Sequence, residues 1–194
     1  MKVAEKAYRE AIEGINIKEN ERIVLESNDM YFISLFAKDI KGIDILKFEE
    51  CIINSGKASY AYFFARDIPG ANIKALQEVV EKSNLYNYIC NFAAHVKGAD
   101  IERLEKIILK TKDMEDIIEF AWGLEDYDLS KYEDIIIKNN DPFYIYKFAL
   151  DVSNSNKEKL FKAILECGDD HCICLFLHGI DFDKEKFKNY LLFI

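Results

Sequence analysis

The sequence predicts an all-α fold, an α-α superhelix or solenoid of about seven 28-residue helix-turn-helix repeats, and three observations predict it. Phe-Ala recurs at Phe36-Ala37, Phe64-Ala65, Phe92-Ala93, Phe120-Ala121 and Phe148-Ala149, with Phe176-Leu177 in the same register. Aliphatic residues keep the same interval at helical spacing, and Gly or Asx residues fall at a fixed place between the two halves of each unit. A fixed period of this size marks a stack of small units that share one core, because helices shorter than about 12 residues are marginal alone.

The first helix of a unit, roughly residues 29 to 40 in the first full repeat, follows from four apolar columns. Ile33, Ile89, Ile117, Ile145 and Ile173 lie three residues before the Phe-Ala pair, and Ile40, Ile68, Val96, Leu124, Val152 and Ile180 lie four after its Phe. Together they occupy i, i+3, i+4 and i+7, one stripe of an α-helix. Gly42, Gly70 and Gly98 follow where a helix end favours a left-handed residue. In later repeats Asp126 and Asn154 hold that place; Asn tolerates the conformation, whereas Asp fits it less well.

The second helix, roughly residues 45 to 54, opens behind the cap candidates Asp44, Asn72, Asp100, Asp128 and Asn156. Its stripe is Ile45, Ile73, Ile101 and Leu129, then Phe48, Leu76, Leu104, Tyr132 and Leu160, then Ile52, Val80, Ile108, Ile136 and Ile164. A column of Glu49, Gln77, Glu105 and Glu133 lies close to this stripe, which points to hydrogen bonds between adjacent units.

The ends keep the register in weakened form. Ile12, Gly14, Ile17 and Val24 each precede a repeat position by one full period, and one residue is deleted between Ile180 and Phe187 before an apolar tail, Leu191 to Ile194. The expected organisation is one domain over 1–194, with an N-terminal cap unit at 1–28, core repeats at 29–166 and a degenerate C-terminal cap unit at 167–194. The apolar tail offers a surface on which a second copy could pair.

The stretches Tyr60 to Ile73 (YAYFFARDIPGANI) and Phe92 to Ile101 (FAAHVKGADI) carry a resemblance. They resemble short α-α helical repeats of uncharacterised bacterial and phage proteins, over about residues 28 to 180. The resemblance implies a fold and brings no catalytic residue across.

Half of the residues are hydrophobic, enough for a packed core, and the sequence shows neither a membrane span nor a secretory leader. The five cysteines, scattered over repeat positions, suit a reducing cytoplasm better than a disulfide framework. The net charge of −9 argues against a simple nucleic-acid binder. Much of it is architectural, since Asp29, Asp113, Asp141 and Asp169 open first helices, and Asp44, Asp100 and Asp128 open second helices.

Two sets of residues are candidates for binding. Lys47, Lys82, Arg103, Lys110, Lys131, Lys138 and Lys159 form a basic ladder opposite the apolar stripe of the second helices. It reads as a solvated face or as a track for phosphates, with Glu50, Glu78, Glu81 and Asp134 interleaved. Tyr31, Tyr62, Phe63, Trp122, Phe143 and Tyr146 lie on first helices away from the core stripe. Either neighbouring units cover them, or they are aromatic anchors for a protein partner.

No nucleophile elbow, P-loop, zinc-protease or dinucleotide motif is present, so no catalytic residue and no cofactor are expected. Cys167, His171, Cys172, Cys174 and His178 gather in the last repeat, yet their spacing fits no standard zinc site, and no metal is expected. The expected function is a non-enzymatic cytoplasmic scaffold that binds a macromolecular partner, most readily a protein. A concrete version is a phage-encoded inhibitor of a nucleic-acid-handling defence protein such as a CRISPR effector. The alternative is a nucleic-acid-binding solenoid that uses the basic ladder.

Overall fold

The computed structural model describes residues 3–124 and 127–187. Among these the chain is all helical, as the periodicity predicts. First helices are α1 (Val3–Ile12), α3 (Met30–Asp39), α5 (Ala58–Asp67), α7 (Tyr86–His95), α9 (Met114–Trp122), α11 (Pro142–Asp151) and α13 (Asp170–Gly179). Second helices are α2 (Ile17–Glu26), α4 (Ile45–Ser55), α6 (Ile73–Lys82), α8 (Ile101–Thr111), α10 (Ser130–Asn139) and α12 (Lys157–Cys167), and a 3-10 turn at Lys184–Phe187 stands where the next would begin.

The chain divides into two compact units, Met1–Ile107 and Ile108–Ile194, with the boundary inside α8. Within the first unit α1, α3, α5 and α7 pack in succession, as do α2, α4 and α6 behind them. Within the second, α9, α11 and α13 form one row, and α10 and α12 the other. Within each of these rows and between them, a helix meets its sequence neighbour and the helix two further on, the two-layer arrangement of a helical repeat.

The core is the set of repeating columns. Phe36, Phe64, Phe92, Phe120, Phe148 and Phe176 are all fully buried, as are Ile33, Ile89 and Ile145 beside them. Burial of one such side chain contributes about 1.5–3 kcal/mol, and the column spreads that gain over every repeat. Caps follow the expected places, with Asp29, Asp113, Asp141 and Asp169 accepting N–H bonds from the first turns of α3, α9, α11 and α13. Asp44 stands at its helix start without a side-chain cap bond; its carboxylate lies 3.8 Å from Lys47 instead.

The Glu/Gln column ties one repeat to the next, as its position suggested. Asn72 N–H donates to Glu49, Asp100 N–H to Gln77 at 2.8 Å, and Asn156 N–H to Glu133 at 2.6 Å. Each acceptor is buried and serves the residue just before the following second helix, where the amide would otherwise be an orphan donor. The last member of the column is Phe161, which packs against Phe176, Phe182 and Phe187 at centroid distances of 4.8–5.2 Å within that aromatic cluster. The switch from acceptor to phenyl falls one repeat before the 3-10 turn at Lys184–Phe187.

Two details of the repeat differ from the sequence reading. Ile12 is 52% exposed, and Ala4, Ala7 and Ala11 fill the buried face of α1, so this helix runs one residue out of the repeat register. Asn154 does not take a positive φ; that turn is held by the Lys157 ammonium, which donates to the carbonyls of Ala149 and Val152 and to the Ser155 hydroxyl. Asp126 and the Leu191 to Ile194 tail lie outside the described residues.

Candidate functional site

Two clefts open on the first-helix face, one in each unit, at equivalent register. The first lies between α3 and α5, has a volume of about 340 Å³, and is lined by Tyr31, Leu35, Lys38, Tyr60, Phe63 and Asp67, with Ser34, Ser59, Phe64 and Ile68 beneath. The second lies between α9 and α11, has a volume of about 550 Å³, and is lined by Glu115, Ile118, Glu119, Trp122, Lys147, Leu150 and Asp151. A step of three repeats along the chain maps Tyr31 onto Glu115, Leu35 onto Glu119, Lys38 onto Trp122, Phe63 onto Lys147 and Asp67 onto Asp151.

The α3–α5 cleft has apolar walls and a charged end. Tyr31 is 55% exposed and Phe63 41%, more than a soluble helix face needs to show at adjacent sites. Asp67 is shared by two cations, Lys38 at 2.9 Å and Arg66 Nε at 2.6 Å. The Arg66 hydrogen bond, with help from Lys38 and against partial burial, holds the Asp67 carboxyl below the usual carboxylate range. The guanidinium also lies over Phe63 at 4.9 Å and over Tyr62 at 5.3 Å, in cation–π geometry.

The α9–α11 cleft is acidic. Glu115 is paired with Lys147 at 2.5 Å. Partial burial, and then the nearby Asp116, push the Glu119 carboxyl up, while burial and Asp113 do the same to Asp116. Trp122 stands 54% exposed at the edge, with Leu150 beside it.

The aromatic candidates thus divide. Tyr31, Phe63, Trp122 and Phe143 are exposed. Tyr62 is only 5% exposed: its ring packs against Tyr88 at 6.2 Å, so it belongs to the packing between repeats. Tyr146 is half-buried against Phe176, its hydroxyl lying where a Cβ on Gly179 would meet it at 3.3 Å. Both occupy the column of Cys90 and Ile118, which neighbouring helices cover.

Three of the seven ladder residues are neutralised by acids of the preceding repeat. Lys47 lies 3.9 Å from Glu21, Arg103 2.6 Å from Glu81 and 3.9 Å from Glu78, and Lys159 3.0 Å from Glu133 and 2.7 Å from Asp134. Lys131 has a partner as well. Lys82, Lys110 and Lys138, near the C-terminal ends of their helices, are exposed and make no ion pair among the described residues.

In the last repeat the Cys174 thiol lies 3.5 Å from His178 Nδ1. The same Nδ1 is 2.8 Å from the Cys174 carbonyl, which can only accept, so this nitrogen carries a proton and does not act as a base toward the thiol. No group of three or more His, Cys, Asp or Glu side chains suited to a metal ion occurs among the described residues.

Sequence reasoning missed a second turn that recurs in four successive repeats. Ser27, Ser55, Ser83 and Thr111 each donate to the carbonyl three residues back and accept the N–H two residues on. Each is followed by a left-handed residue, in the column Asn28, Gly56, Asn84, Lys112, Asn140 and Gly168. The recurrence of Ser or Thr at 27, 55, 83 and 111 was the signal that could have found this turn.

Fold and clefts together define an all-α helical-repeat protein whose first helices border open grooves, and no described helix is long and apolar enough to cross a membrane. No protein-family model, no curated protein and no solved structure matches the chain.

Proposed function

We propose that this chain is a non-enzymatic helical-repeat protein that engages a partner protein through the exposed face of its first helices. One observation carries the reading: of the large apolar side chains exposed within described helices, all but Leu46 lie on first helices, Tyr31 and Phe63 in one unit and Trp122, Phe143 and Leu150 in the other among them. Exposed Trp, Tyr and Phe beside clefts supply most of the energy in protein interfaces. Second helices instead present ion pairs, which contribute little to affinity when exposed. The narrower version, an inhibitor of a nucleic-acid-handling defence protein, has only the net charge of −9 behind it.

A photoreactive phenylalanine analogue placed at Phe143 tests the reading in cells. It should cross-link to a protein segment, and cross-linking to nucleic acid alone, or to nothing, would sink it. Lys82, Lys110 and Lys138 favour the rival reading, nucleic-acid binding. That rival requires binding to a labelled single strand that weakens steeply between about 50 and about 200 mM salt and is lost on Lys110→Glu with Lys138→Glu.

A further inference from the structure

The α3–α5 groove has a chemistry that narrows the partner. A cavity of about 150 Å³ accommodates benzene, so the roughly 340 Å³ here have room for about two aromatic rings and little more. At one end of it the sign of the charge is opposite to that of the whole chain. Lys38 and Arg66 share the single carboxylate of Asp67 there, 2 − 1 = +1 on a chain of net charge −9.

The donors at that end are not used up. A guanidinium has five N–H groups; Arg66 directs Nε and Nη2 to Asp67 and Nη1 to the Tyr62 hydroxyl at 3.4 Å, so 5 − 3 = 2 remain. Lys38 has three, of which Asp67 takes one. One carboxylate divided between two cations leaves both with donors for a second carboxylate. Stacking on Phe63 and Tyr62 keeps the guanidinium beside the apolar walls.

We infer that the α3–α5 groove docks an acidic, aromatic segment of a partner protein. An aromatic side chain enters between Tyr31, Leu35 and Phe63, and a flanking Asp or Glu carboxylate is met by Lys38 and Arg66. The inference rests on the proposed protein-binding role and adds the chemistry of the bound segment.

The test is a nuclear magnetic resonance titration of the full chain with two capped tetrapeptides, one alternating glutamate with tryptophan and the other alternating lysine with tryptophan. The acidic peptide should shift the amides of Leu35 and Phe63 and bind at least about tenfold more tightly than the basic one. That preference should shrink as salt rises from about 50 to about 500 mM. Lys38→Ala with Arg66→Ala, both exposed positions, should erase the preference without altering the rest of the spectrum, and Leu35→Glu should abolish binding of both peptides. Equal affinities, shifts away from α3 and α5, or no shifts at millimolar peptide would overturn the inference. A photoreactive analogue at Phe63 separates this from the broader role: a cross-linked segment that is basic or lacks aromatics refutes the chemistry while leaving protein binding intact.

Discussion

The α3–α5 and α9–α11 clefts are built on the same columns, three repeats apart, yet one is apolar with a cationic end and the other is lined by Glu115, Glu119 and Asp151. Beneath both, the buried residues hardly change: Phe36, Phe64, Phe120 and Phe148 are enclosed to the same degree. The difference teaches that the repeat separates two tasks. Columns facing the core hold the fold and repeat; columns facing the groove are released from packing and carry whatever is specific to each site. What distinguishes the two clefts is written where the period fails.

The comparison requires equal foundations, and that is its most forceful test. Phe64→Ala and Phe148→Ala remove the same fully buried ring from equivalent helices, and each should cost about 3–5 kcal/mol in chemical denaturation. A cost below about 1 kcal/mol at one site only would break the equivalence.

The links between repeats should be equivalent too. Glu49→Ala leaves the Asn72 N–H without its acceptor, and Glu133→Ala does the same to Asn156. Each should cost about 1–3 kcal/mol and speed hydrogen exchange at the orphaned amide. Glu133→Gln keeps an acceptor and loses mainly the attraction to Lys159, so it should cost less than Glu133→Ala. A Gln variant as damaging as the Ala variant would show that the ion pair, and not the amide, is what this column serves.

Most of the fold was legible because core columns repeat in kind as well as in place. The approximate helix limits, the Asp caps of the first helices and the Glu/Gln link could be read from spacing. The turn before each first helix escaped because its left-handed position is filled by Asn, Gly or Lys112, residues that share a backbone conformation and no side-chain character. The site was less legible. A helical period says that a residue lies off the core stripe, but it cannot tell the side covered by the neighbouring repeat from the side facing water, and Tyr62 and Tyr31 fell on opposite sides of that division. The ladder lysines show the same limit, since Lys47 and Lys159 meet acids about one repeat back, which no local pattern displays.

If groove columns are free of packing duties, their contents should be exchangeable. Glu119→Leu with Lys147→Phe gives the second cleft the residues of the first at those positions, and Leu35→Glu with Phe63→Lys does the reverse. Exposed or half-exposed substitutions of this kind should change stability by only about 0.5 kcal/mol each. Binding of an apolar fluorescent dye should appear in the first variant and vanish in the second. Dye binding that follows neither exchange would mean that these columns do not define the grooves.

The smallest effect separates the two clefts by pH. In the fold Asp67 holds its proton less tightly than in the unfolded chain, so its contribution to stability is present above the ordinary carboxylate range, near pH 4, and is lost as pH falls through the depressed folded value. Asp116 and Glu119 hold theirs more tightly, so their contribution is fully present below that range and is lost as pH rises through the raised folded values. Acidification therefore loosens the ion-paired end of the first cleft and relieves the crowded carboxylates of the second. Carboxyl carbon resonances should titrate below the ordinary midpoint for Asp67 and above it for Glu119. Lys38→Met should move Asp67 upward, and Asp116→Asn should move Glu119 downward. Coincident midpoints for the two acids would show that solvent screens both sites equally, and the electrostatic half of the contrast would then be lost while the apolar half remained.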